Sequence, residues 1–495
     1  MRGSRLVGVG AAALSALALF AAEEPLAVGP LAWVALIPVL LVVLREERPV
    51  WAWLYGLAFG VAYFGIHLSW IFLFGWMAWT ALTLVMALYW SVAALLGRLV
   101  RDLRLAPVLV AGAWTGAELL RDRWPFGGFP WGTPGTAQGA VPGVRWLAGV
   151  IGAYGLTFLV VFASAVVACR LRHGRWPWRS LATVAIVLAV FIGVDLVGYG
   201  SPSPGRPIRV AVVQGGVPRP PRPDQNAVIV RTHLRLTRQL LRRERVDLVV
   251  WPESAIANSV AASGLRDVQE LALETGTPFL VGRSFFTGDA YFNQMEQVTA
   301  GGHLAGTYSK RHPVPFGEYV PLSFLRSAVG TLQTEIPVDQ RPGTEATVFD
   351  VGGTTVATPI CFESVFPRDF LDFVREGAEL FVLSTNNSSF ERSYASEQHV
   401  AHTRMRALET RQWVVQAALA GISAVLGPDG SVTQRTGLFT SQSFVADVRA
   451  RPSQSLYAAT GDLFPALFAG LAGLGLVYAL VRRRRRRQPE LESSA

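Results

Sequence analysis

Eight long apolar runs constrain this chain more than any other feature. Seven precede residue 200, at 6–22, 28–44, 51–72, 77–96, 106–120, 146–168 and 181–197, and the eighth covers 463–481. A helix needs ~20 predominantly apolar residues to cross the hydrocarbon of a bilayer, where its backbone polar groups find no water and must bond within the helix. The runs therefore predict a polytopic α-helical membrane domain of about eight spans. Composition agrees, with 51% of residues hydrophobic and only 16% charged, against about 25% charged in soluble proteins. The first run follows Arg2 and Arg5 as the core of a cleaved signal would. Six more apolar runs come directly after it, which predicts a retained helix.

Charge says which way such a chain threads. It carries 45 cations against 35 anions, a net +10, and every cation is Arg except Lys310. Lys and Arg gather in the short loops of the cytoplasmic side. One alternate set of loops holds 17 cations: Arg2, Arg5, Arg45, Arg48, Arg98, Arg101, Arg104, Arg170, Arg172, Arg175, Arg179 and the run 482–487. The opposite short loops hold Arg121, Arg123 and Arg145. This asymmetry predicts an even number of spans, both termini in the cytoplasm, and the long segment between spans seven and eight outside. The final arginine run is expected against anionic lipid headgroups rather than nucleic acid.

Residues 1–199 thus form the expected membrane domain and 200–207, rich in Pro, Gly and Ser, a linker. The outer domain is expected over 208–450, a return segment and eighth span over 451–481, and an Arg-rich cytoplasmic tail over 482–495. Within the outer domain, short β-branched or apolar runs at 209–214, 247–251, 278–281, 354–359, 380–383, 413–416 and 422–426 read as strands. Helical patterns at 228–242, 264–274, 365–376 and 396–411 lie between them. Such alternation predicts an α/β domain with a largely buried sheet. Two facing sheets with helices outside and one wide sheet both suit a segment of this length.

Three positions here join a reactive side chain to a strand end. Glu253 follows the apolar run DLVVW in WPES, a rigid mounting for a carboxylate, although ordinary strands also end in charges. Lys310 stands before a Pro-rich loop, in SKRHPVPFGEYVP. A solvated surface lysine is the bland reading, but the chain uses Arg for every other cation. An ammonium is compact, with three rotatable donors and a pKa that responds to burial, and a site needing those properties would retain it. Cys361, in TPICFESVFP, stands between a strand and a helical pattern, where helix N-terminal amides would favour its thiolate. An isolated Cys is otherwise usually a buried structural residue, the reading that fits Cys169. With one in a span and one outside, the two cysteines are not expected to pair. Together a carboxylate, an ammonium and a thiol suit acyl transfer: the first takes the thiol proton, and the second stabilises thiolate and oxyanion.

WPES, SKRHPVPFGEYVP and ICFES resemble the Glu–Lys–Cys motifs of the nitrilase (carbon–nitrogen hydrolase) superfamily. Seven spans before such a domain and one after it resemble the apolipoprotein N-acyltransferase family, as do RWPFGGFPWGTPG at 123–135 and EQHVAHTRMRALET at 397–410. The resemblance implies an extracytoplasmic α-β-β-α sandwich on the outer face of a bacterial plasma membrane. It also implies roles: Glu253 as general base, Lys310 as electrostatic stabiliser and Cys361 as nucleophile, with Glu318 and Glu363 supporting them. The implied reaction moves an acyl chain from a phospholipid, through a thioester on Cys361, to the N-terminal amine of a diacylglyceryl-cysteine lipoprotein. No metal or organic cofactor is expected, and no nucleic acid partner. Two departures stand out: the family's Asn-Asp-Ala-Trp-Phe-like run reads STNNSSF at 384–390, and Phe362 replaces an aromatic hydroxyl after the Cys.

The rival readings are a membrane-tethered nitrilase-like amidase, with water resolving the thioester, and a non-enzymatic transporter or scaffold with an inactive outer domain. His399 and His402, three apart on a predicted helix, have a spacing that suits metal or helix packing. Glu118 and His67 are ionisable residues within spans, and Arg121 one turn from Glu118 makes a structural ion pair as natural as a substrate contact. Trp124, Phe126, Phe129 and Trp131 suit a headgroup interface, for lipid entry or simple anchoring.

Overall fold

The computed structural model describes residues 2–175, 205–219, 221–322 and 338–492, with six scattered positions between 176 and 204. It divides into two compact units, Met1–Tyr199 with Thr460–Ala495, and Gly200–Ala459.

Among the described residues of the first unit, five helices are long and apolar enough to cross a membrane: Arg5–Ala22, Pro49–His67, Trp76–Val100, Arg145–Arg172 and Leu463–Arg485. The expected second span is broken. A 3-10 turn Gly29–Leu31 leads through Ala32–Ala35 into a separate helix, Ile37–Arg45. Pro30 and Pro38 stand at these starts, and a proline has no N–H to continue a helical ladder. The expected fifth span is the helix Ala106–Arg121, whose 16 residues reach about 24 Å at ~1.5 Å per residue, short of a ~30 Å hydrocarbon core. The third ends at His67, where a 3-10 segment Ser69–Phe74 takes over. The run at 181–197 lies almost wholly outside the described residues.

Buried polar groups organise this unit. Glu118 and Arg121, both fully buried, pair at 2.5 Å. Trp90 Nε1 donates to Glu118 at 2.6 Å, and Arg121 donates to the carbonyls of Phe129 and Trp131 at 3.0 and 2.6 Å. The pair is thus structural and fastens the 123–135 loop to its helix. Tyr154 Oη secures the start of that loop through Asp122. His67 stacks on Tyr63 and lies 3.5 Å from the Glu23 carboxylate. The four loop aromatics divide. Trp124 and Phe126 are exposed as an interface would require, whereas Trp131 is buried against Trp70.

The described residues of the second unit form two six-stranded sheets. The first orders its strands β12-β1-β2-β3-β4-β5, where β1 is Arg206–Gln214, β2 Leu248–Ala257, β3 Phe279–Thr287, β4 Ala290–Val298, β5 Leu304–Ser309 and β12 Gln442–Ala450. The second runs β11-β10-β9-β8-β7-β6, with β6 Val348–Val351, β7 Thr354–Ala357, β8 Leu380–Thr385, β9 Val414–Ala418, β10 Ala424–Leu426 and β11 Val432–Arg435. β1, β2 and β3 are parallel, as are β7, β8 and β9, and the remaining pairs are antiparallel.

Strand side chains alternate between faces, and that alternation separates two cores. Val210, Val212, Val250 and Leu280 turn toward the second sheet and meet Val356, Leu380 and Val382. Ala211, Val213, Val249, Trp251 and Val281 turn the other way, onto Val230, Leu236, Val268 and Leu271 of the helices Gln225–Leu241 and Ala261–Thr275. With Pro367–Arg375 and Ala395–Thr410 on the second sheet, the layers run helix, sheet, sheet, helix. Of the expected linker, residues 206 and 207 already belong to β1 and pair with β12.

Candidate active site

Glu253 lies inside β2, not beyond its end. Pairing between β2 and β3 skips from Trp251 to Ile256, and Ser254 takes a left-handed φ of 57°. Such a bulge re-aims a side chain without ending the strand. Gly282 of β3 makes room for it, since a Cβ there would come within 2.2 Å of Pro252 O and 2.7 Å of Glu253 Cα. The buried Glu253 carboxylate accepts from Asn293 Nδ2 at 2.7 Å, from the Asn386 N–H at 2.8 Å and from Lys310 Nζ at 3.3 Å. Asn293 comes from β4 and Asn386 from the turn after β8, so one carboxylate joins both sheets.

Lys310 directly follows β5 and is fully buried. Its N–H donates to Asn293 O, and its Nζ donates to Glu318 at 2.6 Å as well as to Glu253. Burial works against the ammonium, but Glu318, Glu253 and Cys361 outweigh it and hold the Lys310 pKa well above its ordinary value. Lys310 therefore stays charged. Glu318, in the loop after Phe316 (φ 60°), also accepts from the Val314 N–H at 2.7 Å. Burial raises its carboxyl, against the lowering effect of Lys310.

Cys361 opens a 3-10 turn, Cys361–Val365, with φ 51°. A left-handed non-glycine residue is uncommon and gathers at functional turns. The thiol is partly buried. Its Sγ lies 3.5 Å from Thr385 Oγ1 and 4.0 Å from Asn387 Oδ1. The sequence argument for a favoured thiolate does not hold. Burial, and then the negative charge of Glu253, push the Cys361 pKa up, and Lys310 and the Thr385 hydroxyl only partly oppose them. The short 3-10 turn supplies none of the dipole of a long helix. At rest Cys361 therefore carries a thiol rather than a thiolate.

Glu363 has a different part. Its buried carboxylate accepts from Tyr308 Oη at 2.8 Å, the N–H groups of Arg311 and His312 at 2.5 and 3.2 Å, and the Ile360 N–H at 2.7 Å. It ties the segment after Lys310 to the turn carrying Cys361. Burial and the neighbouring Asp369 raise its carboxyl.

Among the described residues His312, Glu363 and Asp369 bring potential ligand atoms within 4.8 Å of one another. Glu363 accepts from four donors, His312 Nδ1 lies 2.7 Å from Asp369 Oδ2, and Arg311 and Arg368 approach Asp369 and His312 at 3.6 and 3.3 Å, so the three residues also belong to an ion-pair network. His399 lies beside Cys361: Nε2 is 3.1 Å from Cys361 O and Nδ1 is 3.1 Å from Asn387 Oδ1. Burial pushes its pKa down to about 4.

The structure thus gathers Glu253, Lys310, Glu318 and Cys361 in one cluster, with Glu363 bracing it. Sequence reasoning missed Asn293 and Thr385 and gave Asn387 no role. β4 is too polar to read as a strand, with Asn293, Gln294, Glu296 and Gln297 around a single core Met295.

Both units of the chain match known proteins. A model of the apolipoprotein N-acyltransferase N-terminal domain matches residues 15–166, and a model of the carbon-nitrogen hydrolases matches residues 209–456. Proteins named apolipoprotein N-acyltransferase from Geobacter metallireducens and Methylococcus capsulatus are each 32% identical to the chain. The alignments cover 92% of this chain and 92% of the Geobacter protein, and 93% and 94% for the Methylococcus protein. A relative of the same name from Gloeobacter violaceus is also 32% identical, over 95% of this chain and 94% of its own.

Proposed function

The chain belongs to the apolipoprotein N-acyltransferase family, a family of enzymes, and on that premise we propose that it transfers an acyl chain from a phospholipid to a lipoprotein N-terminus through Cys361. The observation that carries this reading is the cluster of Glu253, Lys310 and Glu318 bonded together beside a raised Cys361 thiol.

The charge balance of the cluster favours the first step. At rest two carboxylates flank one ammonium, a net charge of −1 beside a neutral thiol. Moving the proton from Sγ to Glu253 leaves that total unchanged, so a thiolate forms without adding charge to a buried site. Sγ then attacks the ester carbonyl carbon of the phospholipid, and Lys310 Nζ stabilises the oxyanion. Collapse breaks the ester bond, the departing lysophospholipid oxygen takes the proton from Glu253, and a thioester remains on Cys361. The α-amine of a diacylglyceryl-cysteine attacks next, giving its proton to Glu253. Cleavage of the thioester frees Sγ, which recovers that proton. Glu318 keeps Lys310 charged and oriented, and Glu363 holds the two reacting segments in register.

Orientation belongs to the same proposal. The arginine asymmetry supports about eight spans, cytoplasmic termini and a catalytic unit on the extracytoplasmic side, over 208–450 between a membrane domain at 1–199 and the return through 451–481. Apolar helices favour a bilayer substrate over the soluble amide of an amidase.

The test is to incubate the purified protein with phospholipid labelled in its acyl chain and look for hydroxylamine-labile label. Label on the wild type and none on Cys361→Ala is expected, with discharge onto a diacylated lipopeptide amine. Equal labelling of Cys361→Ala would refute the acyl-enzyme, and discharge only to free fatty acid would favour the amidase.

A further inference from the structure

The hydrogen bonds around Cys361 do not close as neutral groups while the Asn387 amide oxygen faces His399. His399 faces two carbonyl oxygens, Cys361 O and Asn387 Oδ1, each 3.1 Å from a ring nitrogen. A neutral imidazole carries one N–H and can donate to only one of them. Protonating the ring would supply the second donor, but His399 is 1% exposed and burial keeps it neutral. Asn387 Oδ1 also lies 2.8 Å from Thr385 Oγ1, whereas Asn387 Nδ2, itself buried, has no partner.

The two ends of a carboxamide have the same shape, and their partners decide which is which. With Nδ2 in the position between His399 and Thr385, both of its hydrogens find acceptors, His399 Nδ1 and Thr385 Oγ1. His399 then donates from Nε2 to Cys361 O. The Thr385 hydroxyl, already accepting from Asn387, keeps its single proton for Sγ, 3.5 Å away. The other end of the amide packs on Gly421, where a Cβ would come within 2.8 Å.

We infer that His399, Asn387 and Thr385 form a one-way donor relay that delivers the Thr385 hydroxyl proton as a hydrogen bond to the Cys361 sulfur, stabilising the thiolate of the acyl-transfer cycle. Asn387 and His399 are positioning residues, acting through Thr385. The inference rests on Cys361 being the nucleophile. A hydrogen bond to an ionised sulfur is among the stronger kinds. It adds to the pull of Lys310 against Glu253 and Glu318, the other charged groups facing the thiol.

The relay makes a non-additive prediction. The readout is the pH dependence of Cys361 alkylation by iodoacetamide in the full-length protein, followed on the Cys361 peptide by mass spectrometry. Thr385→Val should slow alkylation near neutral pH roughly tenfold and move its rise to higher pH, while Thr385→Ser should restore it. Asn387→Asp keeps the shape but offers only acceptors, so its carboxylate should draw the Thr385 hydroxyl away from sulfur. Adding Thr385→Val to Asn387→Asp should therefore change nothing further. An equal effect of Thr385→Val in both backgrounds, or none in either, would overturn the relay. Alkylation needs no acyl transfer, so this result is separate from hydroxylamine-labile labelling, which tests the nucleophile.

Discussion

Lys310 is the residue on which most of the site's electrostatics turn. It is fully buried between two carboxylates, close to the sulfur, and in the proposed reaction its charge would stabilise the thiolate and the oxyanion. An ammonium fits that space, whereas a guanidinium is wide and planar and spreads the same charge over five fixed donors. Lys310→Arg should therefore lower the rate of acyl-enzyme formation by roughly 10²–10³, although it preserves charge. A rate of hydroxylamine-labile labelling within threefold of wild type would contradict this. That this residue mattered was legible in the sequence, because one Lys among 44 Arg invites a reason. That Cys361 rests protonated was not. Its state depends on burial and on Glu253, which lies over a hundred positions away.

At the scale of elements, strained turns and a bulge aim the site. Ser254, Phe316, Cys361 and Asn387 all take left-handed φ values, next to Glu253, two residues before Glu318, at Cys361 itself, and beside Thr385 and His399. Strand β2 reaches its bulge only because β3 offers a glycine. Gly282→Ala would press a methyl group onto the backbone of Pro252 and Glu253. The expected outcome is a loss of about 1–3 kcal/mol of stability, read as a lower Tm, and a larger fall in acyl-enzyme formation as Glu253 moves off Asn293 and Asn386. A variant that labels and melts like wild type would show that the bulge does not set the base. The bulge was illegible in WPES, since its cause lies in a neighbouring strand.

For the whole molecule, the open question is which side of the bilayer each unit faces. Glu47 lies in a loop assigned to the cytoplasm and Asp289 on the β3–β4 turn of the second unit, and both are exposed. In a background with Cys169 and Cys361 replaced by Ser, Asp289→Cys should react with a membrane-impermeant maleimide in intact spheroplasts. Glu47→Cys should react only after permeabilisation. The reverse pattern would overturn the orientation. The apolar runs announced a polytopic chain, but not that prolines break the second or that the fifth stops at 16 residues.

By itself the sequence determined what depends on nearby residues: apolar length, the loops in which arginines accumulate, the β-branched and apolar runs that form the central strands, and the motifs carrying Glu253, Lys310 and Cys361. These are local because a helix, a strand and a loop charge are each specified within some twenty positions. Only the tertiary structure decided what those residues do to one another. It brought Asn293, Asn386 and Lys310 onto one carboxylate, made Glu363 a brace, seated His399 behind Cys361, and turned an expected thiolate into a thiol. The reason is physical: burial and long-range hydrogen bonds set protonation and direction, and both depend on partners that only folding brings within 3 Å.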